Sequence, residues 1–311
     1  MKEAGIEIRE HVPLAPFTTF KIGGEARYFV EAKSEADVRE ALAFAKERGM
    51  RFVVLGGGSN VLVSDDGFDG LVIRIADESV LFDGDILTAG AGCVLLSLIR
   101  KANEQGLGGW EKLAGIPGTI GGATRGNAGA FGPEIKDFVV QVRAISTTTG
   151  ETRDFSNEAC AFVYRRSFFK QNPEWIITSV QVRLAQAQPD ESRVSIETTL
   201  AERQKRHLQN VRAAGSYFMN PVAPSEVVAL FEQEKQVKAR ENRVPAGWLI
   251  EKAGMKGASE GGAQASEQHP NYLINATGTA TCADVHALAR RIQDVVRERF
   301  GIELIPEAVM V

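Results

Sequence analysis

The sequence predicts an α+β protein of about two domains, and three observations carry that prediction. Its 311 residues are 44% hydrophobic and 24% charged, ordinary for a soluble chain with more than one core. Strand-like runs rich in β-branched and aromatic residues are interspersed with capped, amphipathic helical segments along the whole length. None of its glycine-rich stretches carries the full strand-to-helix fingerprint that marks a dinucleotide-binding parallel sheet.

Residues 1–16 read as an irregular or weakly helical lead-in. T-T-F-K-I-G-G-E-A-R-Y-F-V-E then gives a strand, a turn at Gly23-Gly24 and a second strand. Ser34 caps a helix, with Asp37 three residues on; Val38, Ala41, Leu42 and Ala45 share a face, and Gly49 ends it. A buried strand from Arg51 to Leu55 makes residues 17–55 β-β-α-β.

G-G-G-S-N-V-L-V follows, from Gly56 to Val63. The continuation is strand-like, so an anion held here would rest on exposed backbone N–H groups, with Ser59 and Asn60 adding side-chain donors. A tight structural turn is the competing reading. Gly90-Ala91-Gly92-Cys93 lies between a strand (Asp85 to Ala89) and a helical stretch (Leu95 to Gln105). It lacks the third glycine and the acidic ribose partner of a dinucleotide fingerprint.

The stretch that organises the chain runs from Leu113 to Gly132, L-A-G-I-P-G-T-I-G-G-A-T-R-G-N-A-G-A-F-G. It holds too few large side chains to build a core. Its backbone is expected to turn sharply and to approach something closely, either in a packed loop or as a cradle for a bulky anionic cofactor.

Val139 to Thr148 and Glu151 to Phe155 read as a hairpin turning at Gly150. The basic, aromatic Y-R-R-S-F-F-K (Tyr164 to Lys170) precedes a strand from Trp175 to Leu184. After a polar boundary at Gln186 to Ser192, Val194 to Leu208 is helical in composition. Pro221 and Pro224 break the small, polar A-A-G-S-Y-F-M-N-P-V-A, and Ser225 caps a charged helix to about Arg243. A strand from Tyr272 to Asn275 and a final helix from near Asp284 to Gly301 follow, that helix burying Val285, Leu288, Ile292, Val295 and Val296. Residues 302–311 finish as a strand containing Glu307.

Composition excludes several classes. A net charge of −4 gives no basic field for nucleic acid or an anionic membrane. The three widely spaced cysteines (Cys93, Cys160, Cys282) suggest a reducing compartment and neither a disulfide framework nor a metal site. His11, His207, His269 and His286 show no metal-ligand spacing. No run approaches membrane-spanning length, so a cytoplasmic location is expected.

The set T-T-F-K-I-G-G, L-G-G-G-S-N-V-L-V, A-G-I-P-G-T-I-G-G-A with N-A-G-A-F-G, Y-R-R-S-F-F-K, G-S-Y-F-M-N-P and the terminal P-E resembles, in order and over nearly the whole chain, the UDP-N-acetylenolpyruvoylglucosamine reductase family. The resemblance implies a two-subdomain FAD-binding fold of the vanillyl-alcohol-oxidase/PCMH type plus a C-terminal α+β substrate-binding domain. The expected division is 1–76 and 77–192 for the FAD-binding subdomains, 193–301 for the substrate domain and 302–311 for the strand carrying Glu307. The short interval from Arg165 to Ser216 resembles the subclass without an inserted substrate-covering loop.

The resemblance also implies the chemistry: NADPH as co-substrate reduces FAD, and hydride then passes to the enolpyruvyl group of the UDP-sugar, giving UDP-N-acetylmuramate for peptidoglycan. Arg165 would hold the substrate carboxylate and its developing charge, and Ser216 would donate the proton. Glu307 would be a protonated donor or an orienting group. Cofactor contacts are expected from Gly56, Gly57, Gly58, Ser59, Asn60, Gly118, Thr119, Gly121, Gly122, Ala123, Asn127 and Gly129, with the amides of residues 118–123 along the diphosphate. Substrate contacts are expected from Tyr164, Asn220, Lys256 and His269. A monomer, with no metal, nucleic acid or membrane partner, is expected. Read without the family, Arg165 and Arg166 are equivalent solvated charges. Met219 departs from the polar, often basic residue common at its position, which leaves two alternatives: a same-fold flavin oxidase of another small molecule, or a flavin-binding relative without turnover.

Overall fold

The computed structural model describes residues 2, 3, 5–205 and 211–311. The chain divides into two compact units, one made of residues 1–12, 26–58 and 68–205 and the other of residues 13–25, 59–67 and 206–311.

The first unit is built on two sheets. One orders its strands Arg9–Pro13, Glu25–Ala32, Phe68–Ile75, Phe52–Leu55. Glu25–Ala32 and Phe52–Leu55 each run parallel to Phe68–Ile75. Parallel neighbours need a crossover, and helix α1 (Glu35–Glu47) is part of it. Its start is fixed as the sequence predicts: the Ser34 hydroxyl accepts the Asp37 N–H at 3.1 Å, and the Asp37 carboxylate accepts the Lys33 N–H at 2.7 Å. Val38, Ala41, Phe44 and Ala45 are its buried face.

The second sheet is antiparallel, in the order Thr152–Ser156, Val139–Ser146, Trp175–Arg183, Ile86–Gly90, Val80–Asp83. Helices α2 (Leu95–Glu104), α3 (Ile120–Gly126), α4 (Phe168–Gln171) and α5 (Pro189–Lys205) complete the unit. A single buried cluster runs from Ile6 through Leu71, Leu87, Leu98, Trp110 and Val142 to Ile196, so both sheets share one core. Each large aliphatic side chain in it contributes about 1.5–3 kcal/mol by leaving water.

In the second unit, helices α6 (Ser225–Lys235), α7 (Ala246–Lys252) and α8 (Cys282–Phe300) pack with a small sheet, Ser259–Glu260, Ala263–Ala265 and Leu273–Asn275. Val285, Leu288, Ala289, Ile292 and Val296 of α8 are buried in its core. Residues 59–67 belong here because Val61–Leu62 pairs in parallel with Val309–Met310. The Asp65 carboxylate also accepts the N–H groups of Cys282 and Ala283, at 2.7 and 3.0 Å, where a negative charge suits the first turn of α8.

Several expectations need correction. The lead-in holds strands, Ile6–Glu7 and Arg9–Pro13. The strand expected over Thr18 to Ile22 is instead a turn: the Thr18 hydroxyl accepts the Lys21 N–H at 3.0 Å and Lys21 takes φ +58°. Helix α5 starts at Pro189 and not at Val194, while Leu208, its expected end, and His207 lie outside the described residues. Ser225 is the first residue of α6 and not its cap, and the helix stops at Lys235 because Gln236 turns left-handed at φ +54°. Within residues 302–311 only Val309–Met310 is strand. Among the described residues no helix is long and apolar enough to cross a membrane, and no His/Cys/Asp/Glu group could hold a metal ion.

Candidate active site

Three glycine segments of the first unit pack against one another. At Gly57 an added Cβ would stand 2.7 Å from Gly118 Cα, and at Gly56 it would stand 2.9 Å from Thr119 Oγ1. The two loops therefore abut, backbone to backbone. The third partner is Gly90–Cys93, which the sequence had offered only as a weak fingerprint. Its Ala91 and Cys93 carbonyls accept the N–H groups of Gly121 and Ile120, at 3.0 and 2.9 Å, and a Cβ on Gly121 would fall 2.7 Å from that of Ala91.

These bonds decide which amides can face a ligand. The N–H groups of Ile120 and Gly121 go to the Gly90–Cys93 loop. That of Gly122 goes to Thr119 Oγ1 at 3.3 Å and that of Ala123 to the Thr119 carbonyl at 2.9 Å. Among the described residues, no acceptor takes the N–H groups of Gly57, Gly118 or Thr119. Donors for an anion are thus gathered where the loops touch, and residues 120–123 do not supply them.

Helix α3 grows directly out of this contact, with Thr119 as its N-cap. Glycine in a helix costs about 0.5–1 kcal/mol relative to alanine, so each one needs a reason. Gly121 has one, the close approach of Ala91. Gly122 and Gly126 do not: neither has a positive φ, a Cβ on Gly122 would meet only Thr119 Oγ1 at 3.5 Å, and one on Gly126 would meet nothing within 4 Å. Neither backbone conformation nor internal packing requires these two glycines.

Asn127 ends α3 in the left-handed region, φ +44°, and is fully buried. Its amide nitrogen donates to Glu134 Oε2 at 2.9 Å and to the Val163 carbonyl at 3.0 Å, while its oxygen accepts the Lys136 N–H at 3.3 Å. The Asn127 side chain is therefore spent inside the protein, tying the glycine stretch to the next element. That element is a tight turn closed by reciprocal bonds between Val163 and Arg166, with Tyr164 and Arg165 at its tip.

Arg165 has φ +57°, rare for a residue with a side chain. Its guanidinium donates to the carbonyls of Asn127 (3.5 Å) and Gly129 (3.1 Å) and lies 5.1 Å from the Tyr164 ring. Arg166 is exposed. The structure separates two arginines that the residues alone left equivalent. Gly129 is needed where it stands, since a Cβ would meet Pro133 O at 2.9 Å. Arg125, which the sequence reading passed over, is half-buried on the last turn of α3, and burial holds its pKa below the ordinary arginine value.

In the second unit, the segment after Ser216 lies beside the chain's C-terminal stretch. Glu307 N–H donates to the Tyr217 carbonyl at 2.7 Å, Met219 N–H to the Ile305 carbonyl at 2.9 Å, and Phe218 bridges Pro306. Asn60 joins them: its amide donates to the Glu307 carbonyl at 3.2 Å, and its own carbonyl accepts the Val309 N–H at 3.0 Å. Ser216, Glu307 and Asn60, far apart in sequence, are thereby brought to neighbouring segments.

Buried Asn271, which sequence reasoning missed, fixes this corner from below. It exchanges hydrogen bonds with the Phe218 backbone (3.0 and 2.8 Å), and its carbonyl takes the Tyr217 N–H at 2.7 Å. His269, two residues earlier, stacks edge-on to Tyr272 with ring centroids 4.8 Å apart. Burial pushes the Tyr217 phenol up to about 12. Asn220 accepts the Ala246 N–H at the start of α7 (3.0 Å), and Lys256 pairs with Glu251 at 3.1 Å on the surface, an ion pair of small energy.

Residues 206–311 match the family model described as UDP-N-acetylenolpyruvoylglucosamine reductase, C-terminal domain, and residues 26–156 match the model of an FAD binding domain. The UDP-N-acetylenolpyruvoylglucosamine reductase of Solibacter usitatus is 39% identical, over 98% of this chain and 97% of its own length. That of Pseudomonas aeruginosa is 38% identical, over 97% and 98%. The crystal structure of the Thermus caldophilus UDP-N-acetylenolpyruvylglucosamine reductase superposes with a TM-score of 0.75 at 30% identity, covering 98% of both chains. By sequence along nearly its whole length and by fold, the chain belongs to the UDP-N-acetylenolpyruvoylglucosamine reductase family.

Proposed function

We propose that the chain reduces UDP-N-acetylglucosamine enolpyruvate to UDP-N-acetylmuramate, a peptidoglycan precursor, with FAD as cofactor and NADPH as electron donor, in the cytoplasm. The observation that carries the flavin reading is the pair of unrequired helical glycines. Gly122 and Gly126 keep α3 bare where the protein itself could accept a methyl group, which fits a broad planar cofactor lying on it. The unclaimed amides of Gly57, Gly118 and Thr119 fit its diphosphate, and Gly58, Ser59, Gly129 and the backbone of Asn127 would line the remainder. Residues 1–76 and 77–192 would be the two FAD-binding subdomains, and 193–301 the substrate domain.

When bound, FAD supplies the hydride relay from NADPH to the outer vinyl carbon of the substrate. The residues do the rest. Arg165 holds the substrate carboxylate, since a guanidinium presents a fixed fork of donors to that group. Its bonds to the Asn127 and Gly129 carbonyls aim it before substrate arrives, and preorganised charge of this kind accounts for roughly 10²–10³ in rate. Ser216 donates its hydroxyl proton to the inner carbon, where negative charge builds beside the carboxylate. Glu307 acts beside Arg165, as a protonated donor or by orienting it, its backbone held by the bond to Tyr217. Tyr164, Asn220, Lys256 and His269 contact the UDP-sugar.

Replacing Ser216 by Ala tests the division of labour. Bleaching of the flavin by NADPH should proceed at the wild-type rate while UDP-N-acetylmuramate formation falls at least a hundredfold. Unchanged product formation would remove Ser216 from the chemistry.

A further inference from the structure

We propose that Arg203 of helix α5 is a further binding residue of the cofactor site, its guanidinium taking the diphosphate of FAD beside the glycine loop. The assignment rests on the flavin reading above and extends it to a residue in neither matched region, since Arg203 falls between residues 26–156 and 206–311.

Helix α5 turns Ser192, Ile196, Thr199 and Arg203 inward, a regular buried stripe on which an arginine stands where an apolar residue would be expected. Arg203 is only 7% exposed. Among the described residues no carboxylate pairs with it and no acceptor takes its N–H groups; Nε is buried without a partner, so the terminal nitrogens are left as the donors that reach the surface. A charge taken this far out of water without compensation is strongly disfavoured unless something else supplies the counter-charge.

Its position names that counter-charge. The stem of Arg203 lies against Gly115, where an added Cβ would stand 1.7 Å from Arg203 Cδ and 2.5 Å from Nε. Gly115 has no positive φ, so its backbone does not demand glycine; the side chain above it does. Gly115 is three residues from Gly118, at most about 10 Å along an extended chain and within reach of an arginine. The amides of residues 120–123 are all used inside the protein. Three neutral donors then remain at the loop contact, on Gly57, Gly118 and Thr119, with no fixed positive charge among them. A diphosphate carries two negative charges, and the unpaired guanidinium on the same stretch supplies a counter-charge that these neutral donors lack.

The test uses the full chain stripped of flavin. Arg203→Met keeps the stem over Gly115 and removes the charge; Gly115→Ala keeps the charge and displaces the stem. Both should bind FAD about 10- to 100-fold more weakly, the effect of losing a hydrogen-bonded charge, with riboflavin affinity within about twofold of wild type. Arg203→Lys should fall between, and the salt dependence of FAD binding should flatten in Arg203→Met. Unchanged FAD affinity in Arg203→Met, or equal losses for FAD and riboflavin, would overturn the assignment. So would intact FAD binding with loss of UDP binding to the loaded chain, which would give the guanidinium to the nucleotide substrate. Failure of the wild-type chain itself to bind FAD would overturn the flavin reading, and this assignment with it.

Discussion

Gly122 offers a perturbation whose effects on stability and on function have opposite signs. Gly122→Ala adds one methyl group to the exposed face of α3. Its nearest neighbour is Thr119 Oγ1 at 3.5 Å, ordinary van der Waals contact, and its φ is not positive. No clash offsets the gain in helix propensity and the smaller unfolded-state entropy, together about 0.5–1 kcal/mol. For a unit of this size that raises the melting midpoint of flavin-free protein by about 1–4 °C. The same methyl enters the space assigned to FAD, and overpacking a fitted surface costs about 1–3 kcal/mol, roughly a 5- to 150-fold loss in affinity. Thermal denaturation of the stripped protein and titration with FAD, followed by flavin fluorescence, measure the two effects separately. A variant that is stabilised yet binds FAD like wild type would refute the reasoning, because Gly122 would then be reserving space for nothing. Gly57→Ala is the contrasting control. Its Cβ would press on the Gly118 backbone at 2.7 Å, so it should lower stability and FAD affinity together.

Two further outcomes follow from the geometry. Arg165→Ala should lower kcat by roughly 10²–10³ while Arg166→Ala stays within a fewfold of wild type, and steady-state kinetics that ranked the two alike would contradict their different placement. Asp284, in the capping box of α8, accepts the N–H groups of Thr281 and Gly262, each at 3.0 Å, and these bonds hold its pKa below the ordinary value of 3.8. A depressed folded pKa contributes stability that is present above the unfolded value and lost as pH falls through the folded one. Asp284→Asn should therefore melt lower than wild type by a constant margin between roughly pH 5 and 8, and the margin should close below about pH 3.8. A margin that persisted in acid would show that the carboxylate's charge is not what matters there.

The sequence announced parts of the fold that local chemistry decides. Ser34 with Asp37 is a cap that a reader of side chains finds and the structure keeps, whereas the capping box of Thr281 and Asp284, equally local, went unread and the helix was started near Asp284. The glycine segments were legible as places of close backbone approach: Gly56 and Gly57 meet Thr119 and Gly118, and Gly121 meets Ala91. What was not legible depends on partners distant in sequence. The family resemblance implied Gly118 to Ala123 as a donor strip, but only the fold reveals that the Ala91 and Cys93 carbonyls take the Gly121 and Ile120 amides. Asn127 was expected as a cofactor contact, but its side chain is the internal tie between the glycine stretch and the Arg165 turn, leaving only its backbone for that part. Gly115 carried a signal that could have been read: a glycine with no evident turn to make implies a side chain lying over it. Which side chain, Arg203, required the packing of α5. The early strands were hidden for a similar reason, since Arg9–Pro13 shows no apolar alternation and is strand only because Glu25–Ala32 lies beside it.

The function proposed for this chain is the passage of electrons from NADPH to an enolpyruvyl UDP-sugar through bound FAD. Anaerobic stopped-flow mixing of the FAD-loaded protein with NADPH, followed by UDP-N-acetylglucosamine enolpyruvate, tests it most directly. Flavin absorbance should be bleached in the first step and restored in the second, with one UDP-N-acetylmuramate formed per flavin reoxidised. A flavin that NADPH reduces but only oxygen reoxidises would contradict it and point to an oxidase on the same fold.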